Sequence, residues 1–455
     1  MTMAIVIAGA LELGTYLATT LSEEQESVIL IDPDQKRLES FGRSADIATI
    51  CGEVTDWQLL DSLLDQKPKL FLALTDLDEV NLTASSIAKN LGYPTTVARI
   101  SNPSFLNQKR LNFDKLFYVD HLIAPELIVA YDLFKAITNP GALRVDNFAH
   151  GAVQMRTVVM PSKWDSMNKK LREINFGNNL LIGVIRRKKR SPEHDDDEII
   201  IPHGDDLLFP GDEVTFVGET ATMLELPKHF NLPTAKIDSV VIAGSNLVTK
   251  QLIRALLDQD IKVKVIDRDE KACLQLAQIY NNITVIHQDP SNLTLLRSER
   301  IDRCDVFLAA TQSTEFNILT ASLAQEGGAK HVYSLVSDTR HFPLLKRLNI
   351  DHVLSERECL SSRILSFIHA EMAVSTRTLY DNHIVIMEMK VTASTKIAGI
   401  PIQDLSKILP KDCLIALIEN RGQIMIAKGE RILAPGDTVI VITSPKLVAE
   451  IREIF

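Results

Sequence analysis

The chain has 455 residues, 45% hydrophobic and 24% charged, with a formal net charge of −10 and a pI near 5.6. That composition describes a globular protein of three or four domains, and its acidity excludes a non-specific nucleic-acid binder, which needs a basic face. Five widely spaced cysteines with no CxxC pair read as reduced, buried small hydrophobes, with no zinc or thiol chemistry implied.

The chain opens on Ile5-Val6-Ile7-Ala8-Gly9, a short apolar run suited to a strand buried on both faces of a parallel sheet. Glu12 and the lack of a positive leader give a strand-turn-helix reading of this segment, against a signal peptide or anchor. Elsewhere no apolar run approaches the roughly 20 residues that span a bilayer, so no direct membrane insertion is expected. The loop Gly9-Ala10-Leu11-Glu12-Leu13-Gly14 keeps the outer glycines of GxGxxG and has Leu at the middle one. A second strand ends at Asp32, 23 residues past Gly9, where a carboxylate can accept both hydroxyls of an adenosine ribose. Glu53 follows Gly52. Thr75 and Asp76 close the strand that begins at Phe71, a helix is expected over residues 79–91, and Arg99 ends the strand 96–100. Helix capping is the alternative role for Asp32 and Thr75.

Further on the pattern changes. A helical stretch over 164–174 precedes short strands at 180–186 and 213–218. Between them a basic run, Arg186 to Arg190, meets an acidic one, His194 to Glu198, which reads as a solvated hairpin tip.

The whole pattern then repeats. Val240-Val241-Ile242-Ala243-Gly244 and Asp267 lie 235 residues after their first-half counterparts, and Phe307 to Thr311, followed by Glu315 and Asn317, lies 236 after Phe71 to Thr75, Glu79 and Asn81. Asp351-His352 echoes Asp120-His121, and Pro435-Gly436-Asp437 echoes Pro210-Gly211-Asp212. The chain is an internal duplication. Helices at 314–326 and 402–408, strands at 413–419, 423–427 and 437–443, and a turn at Asn420-Arg421-Gly422 complete the second copy. Its glycine loop, Gly244-Ser245-Asn246-Leu247-Val248-Thr249, keeps only the first glycine, and Leu335 stands where the first copy has Arg99.

Alternating strands and helices specify right-handed βαβ crossovers. The expected fold is α/β: two Rossmann-like doubly wound parallel-sheet domains (1–137 and 235–370), each followed by a small α+β domain (138–234 and 371–455). The carboxylates Asp32 and Asp267 favour NAD(H) over NADP(H), with ATP and ADP possible because they carry the same ribose. HExxH, GxSxG and P-loop signatures are all missing from the sequence, so an enzyme is not expected. His121 and His352 sit in apolar surroundings and read as structural.

Two such units, each with a PGD turn in its small domain, resemble tandem RCK domains, the regulators of potassium conductance. The segment Val119 to Glu126, with Asn139-Pro140-Gly141-Ala142-Leu143 and Asn147-Phe148-Ala149 after it, extends the resemblance over essentially the whole chain. The resemblance implies a cytoplasmic homo-oligomeric ring, peripheral to the membrane, that gates a membrane potassium-translocating subunit when nucleotides bind. It also implies a first site of Gly9, Ala10, Leu11, Glu12, Leu13, Asp32, Glu53, Thr75, Asp76 and Arg99. The second would use Gly244, Ser245, Asn246, Leu247, Val248, Asp267, Asp289 and Thr311. An NAD-dependent oxidoreductase and a scaffold with decayed nucleotide sites are the alternatives.

Overall fold

The computed structural model describes residues 3–23, 26–41, 47–106, 110–139, 141–148, 152–174, 180–188, 197–223, 225–230, 236–337, 339–348, 350, 352–368, 373–380, 383–410, 412–420, 423–427 and 429–455. The expected turn at Asn420-Arg421-Gly422, the charged residues 189–196, Pro140, Ala149 and Asp351 lie wholly or partly outside this set.

The first unit holds β1 (Ala4–Ala8), β2 (Ser27–Asp32), β3 (Ala48–Cys51), β4 (Leu70–Ala73), β5 (Thr95–Arg99) and β6 (His121–Ile123). Its helices are α1 (Glu12–Glu23), α2 (Gln35–Phe41), α3 (Trp57–Ser62), α4 (Asp78–Leu91), α5 (Phe113–Phe117) and α6 (Pro125–Thr138). The strands are parallel in the order β3-β2-β1-β4-β5-β6, the doubly wound Rossmann order with its switch point between β1 and β4. The apolar run of β1 is buried along its whole length because helices cover both faces.

An antiparallel module follows: β7 (Ala142–Phe148), β8 (Val153–Val159), β9 (Leu180–Arg187), β10 (Glu198–Ile200) and β11 (Glu213–Glu219), with short helices α7 (Thr220–Met223) and α8 (Leu226–His229). Its order is β10-β9-β11-β8-β7.

The second copy repeats both sheets. Strands β12 (Ser239–Ala243), β13 (Lys262–Asp267), β14 (Thr284–His287), β15 (Val306–Ala309), β16 (His331–Val336) and β17 (His352–Ser355) take the order β14-β13-β12-β15-β16-β17. With them come α9 (Leu247–Leu257), α10 (Glu270–Ile279), α11 (Leu293–Ser298), α12 (Thr314–Glu326), α13 (Phe342–Arg347) and α14 (Glu356–Ile368). The final module has β18 (Ala373–Leu379), β19 (Ile384–Lys390), β20 (Cys413–Asn420), β21 (Gln423–Ile426), β22 (Thr438–Thr443) and α15 (Val448–Ile454), in the order β18-β19-β22-β20-β21.

The two copies exchange their last Rossmann helices. Val129, Leu133 and Ile137 of α6 share one core with Leu252 and Leu256 of α9 and the second sheet. Tyr333 in β16 donates its hydroxyl to the Ala136 carbonyl of α6 at 3.2 Å. Reciprocally, Leu360 and Ile364 of α14 pack with Leu17 and Leu21 of α1 and the first sheet. The two antiparallel sheets also share a core, built from Val153, Met155 and Val217 on one side and Ile386, Leu417 and Ile442 on the other. Among the described residues no helix is long and apolar enough to cross a membrane.

Four expectations need correction. The stretch 164–174 forms turns and one 3-10 turn, Leu171–Glu173, because Asn168 takes a left-handed φ of 68° that breaks any continuous helix. Residues 402–407 likewise form a 3-10 helix. Cys51 is exposed at the end of β3, unlike buried Cys273 and Cys304. Of the basic run, Arg186 and Arg187 are not simply solvated: β9 and β10 pair antiparallel, and Arg186 is bound to Asp197 and Glu213, and Arg187 to buried Asp212.

Candidate functional site

Each Rossmann sheet ends in a crevice at its switch point, and the two crevices are built differently. In the first, Gly9 takes a φ of +111°, and a Cβ there would stand 3.0 Å from the backbone of Leu74 and Thr75. Gly14 sits in the first turn of α1, where a Cβ would meet the Gly9 carbonyl oxygen at 1.9 Å. The two glycines together let the loop and α1 close onto β1.

Ala10 donates its N–H to Asp32 Oδ2 at 2.7 Å, and Asp34 donates to Asp32 Oδ1 at 2.8 Å. Asp32 is thereby fixed, buried at 2% exposure, with one lone pair on each oxygen still available. Arg37 lies 3.7 Å from Asp32 and 3.6 Å from Asp34, so two carboxylates share one cation and the rim stays negative. Ala10 and Leu13 are buried in the core, Leu11 is half-buried, and Glu12 and Glu53 are exposed.

On the other side of the switch point, Asn81 in α4 clamps two strand ends. Its Oδ1 accepts the Thr75 N–H at 2.9 Å and the Thr75 hydroxyl at 2.7 Å, while its Nδ2 donates to the carbonyls of Thr75 and Arg99 at 2.9 and 3.0 Å. Thr75 is therefore committed to holding the crevice open and does not cap α4 through its side chain. Asp76 is exposed and lies 3.4 Å from Arg99. Arg99 also approaches Glu126 of α6 at 3.9 Å, and burial raises the Glu126 carboxyl above the usual range. Arg99 Nε and Glu126 Oε2 are both buried without a hydrogen-bond partner among the described residues.

The second crevice repeats the frame and fills the loop. Gly244 has a φ of +118°, and Asn317 clamps Thr311 and the Leu335 carbonyl as Asn81 does in the first copy. Here, however, the Ser245 hydroxyl donates to Asp267 Oδ2 at 2.6 Å, and Asn246 both caps α9 and donates to the Ala310 carbonyl at 2.9 Å. Val248 and Thr249 are buried, and Leu335 lies in the core at 1% exposure. Asp289 is exposed and accepts from Ser291, whose hydrogen bonds hold its carboxyl below the usual range. Leu247 is 41% exposed and lines an open cleft with Asp76, Leu77, Asp78 and Phe105 of the first unit.

Sequence reasoning missed Glu126, Glu356 and Arg357, which reach the first crevice from the exchanged helices. Asn81 and Asn317 were visible as part of the repeat, with no role attached to them.

Two Rossmann units of one chain, each followed by a five-stranded antiparallel module, define a tandem RCK architecture. The TrkA-N domain model matches residues 5–124 and 240–356, more than half of the chain, and the TrkA-C domain model matches 386–455. The chain belongs to the TrkA family. It is 27% identical to Trk system potassium uptake protein TrkA homolog 1 of Methanosarcina mazei, with 100% of both chains covered. With Trk system potassium uptake protein TrkA of Haemophilus influenzae it is 28% identical over 100% of this chain and 98% of the relative. Among solved structures, the GsuK RCK domain superposes with a TM-score of 0.62 at 17% identity, over 100% of this chain and 96% of that one. The GsuK channel bound to NAD superposes with a TM-score of 0.63 at 16% identity, over 100% and 80%.

Proposed function

We propose that this chain is the nucleotide-binding regulatory subunit of a Trk-type potassium uptake system. It binds NAD(H), or ADP and ATP through the same ribose contacts, in the first crevice. Binding gates a TrkH/TrkG-like membrane potassium-translocating subunit. The observation that carries this reading is Asp32, buried and pinned by two N–H groups at the mouth of the crevice, in a chain similar over its full length to Trk potassium uptake proteins. The pinned carboxylate disfavours a 2′-phosphate, which supports NAD(H) over NADP(H). The chain works as a homo-oligomeric ring, cytoplasmic and peripheral to the membrane through its partner, and carries no enzymatic activity of its own.

The second crevice is a structural remnant. Its carboxylate Asp267 is held by Ser245 and Asp269 much as Asp32 is held, but Leu335 replaces the cation of the first, and Asn246, Val248 and Thr249 fill the loop that glycines leave open there. Calorimetry of the full chain with NADH tests both points: one site per chain is expected, lost in Asp32→Asn and kept in Asp267→Asn. Potassium flux through the co-purified membrane subunit should change on adding NADH, and an unchanged flux would sink the regulatory reading.

A further inference from the structure

Beside the phosphate end of the first crevice, three helices and a strand converge with charged side chains: Glu12 from α1, Glu126 from α6, Glu356 and Arg357 from α14, and Arg99 from β5. Arg357 belongs to the second repeat, carried here because α14 packs on the first sheet. Its Nη2 lies 3.2 Å from Glu12 Oε2. The pair is lopsided, since the Arg357 side chain is 21% exposed and that of Glu12 79%. A carboxylate so fully in water gains little from an ion pair.

Glu12 is also the first residue of α1, where the free N–H groups and the helix dipole favour an anion. In a Rossmann crevice this is where a nucleotide pyrophosphate comes to rest. Glu12 thus supplies a negative charge that both α1 and Arg357 face.

The geometry points to Arg357 as a phosphate-binding residue of the first nucleotide site, contributed across the repeat boundary, with Glu12 and the nucleotide phosphates competing for it. This rests on the reading that the first crevice binds a nucleotide. Arg99 holds the other flank, between Asp76 and Glu126. The arrangement runs one way. Counted from His121 and His352, the position that matches Arg357 is Glu126, so the first repeat has a carboxylate where the second has the guanidinium. Nucleotide binding then exchanges an Arg357–Glu12 contact for an Arg357–phosphate contact, and the phosphate becomes a link between α1 of one repeat and α14 of the other.

The test is calorimetry of the full chain with NADH and with ADP, comparing wild type, Arg357→Gln and Glu12→Gln. A charge-assisted bond to phosphate sets the expected loss in Arg357→Gln at about tenfold or more in Kd. Glu12→Gln removes the competitor and should tighten binding. Opposite directions are the signature, because a merely structural ion pair would be broken by either change with the same effect on affinity. A Kd in Arg357→Gln within twofold of wild type, or weakened binding in Glu12→Gln, overturns the inference. If Arg357→Gln fails to fold, the sign of the Glu12→Gln effect decides alone. Wild type that binds neither nucleotide sinks the site itself, and this inference with it. Binding that is lost in Asp32→Asn yet untouched in Arg357→Gln sinks only the role of Arg357.

Discussion

Glu356 opens α14 with its carboxyl pushed up to about 7 from 4.5, by burial first, then by Glu126 and Glu12, against the pull of Arg357. The folded chain keeps this proton over a range in which the unfolded chain has lost it. Stability therefore falls as pH rises from about 4.5 to about 7 and levels off above; below that window both states are protonated and the group is neutral to stability. The full effect corresponds to at most about 3 kcal/mol. Glutamine imitates the protonated carboxyl, so Glu356→Gln is expected to raise the melting temperature by several degrees at pH 8 and by much less at pH 5. A gain of equal size at both pH values would show that the carboxyl is ionised throughout. Ionised Glu356 also adds negative charge beside the phosphate end of the crevice, so NADH should bind Glu356→Gln more tightly than wild type at pH 8, with the difference shrinking at pH 5.

At the scale of the element, the strand-to-helix loop decides which crevice can take a ligand. Gly14→Ala would drive a Cβ into the Gly9 carbonyl oxygen at 1.9 Å, a backbone atom and not the yielding end of a flexible side chain. It is expected to cost more than about 2 kcal/mol in chemical denaturation and to weaken NADH binding as α1 lifts from β1. Wild-type stability in this variant would mean that the loop relaxes freely. The matching Thr249 is buried without such a clash because Asn246 caps α9 and ties the loop to Ala310. Much of this was legible in the sequence: the apolar runs of β1 and β12, their spacing to Asp32 and Asp267, and the lost glycines of the second loop. What hid the rest was burial from two directions. In β8 the sequence alternates as in a half-exposed strand, Val153-Gln154-Met155-Arg156, yet six of its seven residues are buried, because one face meets its own module and the other the partner sheet, and Gln154 and Arg156 are paired with each other out of water. Similarly, α14 reads as a helix of its own unit, and nothing in its sequence says that Glu356 and Arg357 will stand over the first crevice.

Over the whole molecule, the duplication supplies both partners of an exchange that would otherwise need two chains. Val129 and Leu133 of α6 match Leu360 and Ile364 of α14 by position, counted from His121 and His352, and each pair fills the core of the other repeat. A first repeat cut free at residue 230 would leave Val129, Leu133 and Ile137 exposed on α6, and would leave Leu17 and Leu21 of α1 without their α14 cover. Each large apolar side chain returned to water costs about 1.5 to 3 kcal/mol, so the sum rivals the 5 to 15 kcal/mol that holds a typical domain folded. A second copy of the same fragment can restore the burial, because its α6 carries apolar residues at the positions where α14 does. The close approach of the two antiparallel sheets, where a Cβ on Gly183 would come within 2.5 Å of the Ile442 side chain, adds a second self-complementary face. Fragment 1–230 is therefore expected to sediment at twice its chain mass at micromolar concentration, and Leu133→Asp within it should abolish the dimer together with its cooperative melting. A monomeric fragment with an intact thermal transition would show that each repeat is self-sufficient, and that the exchange of α6 and α14 contributes little to holding the two halves together.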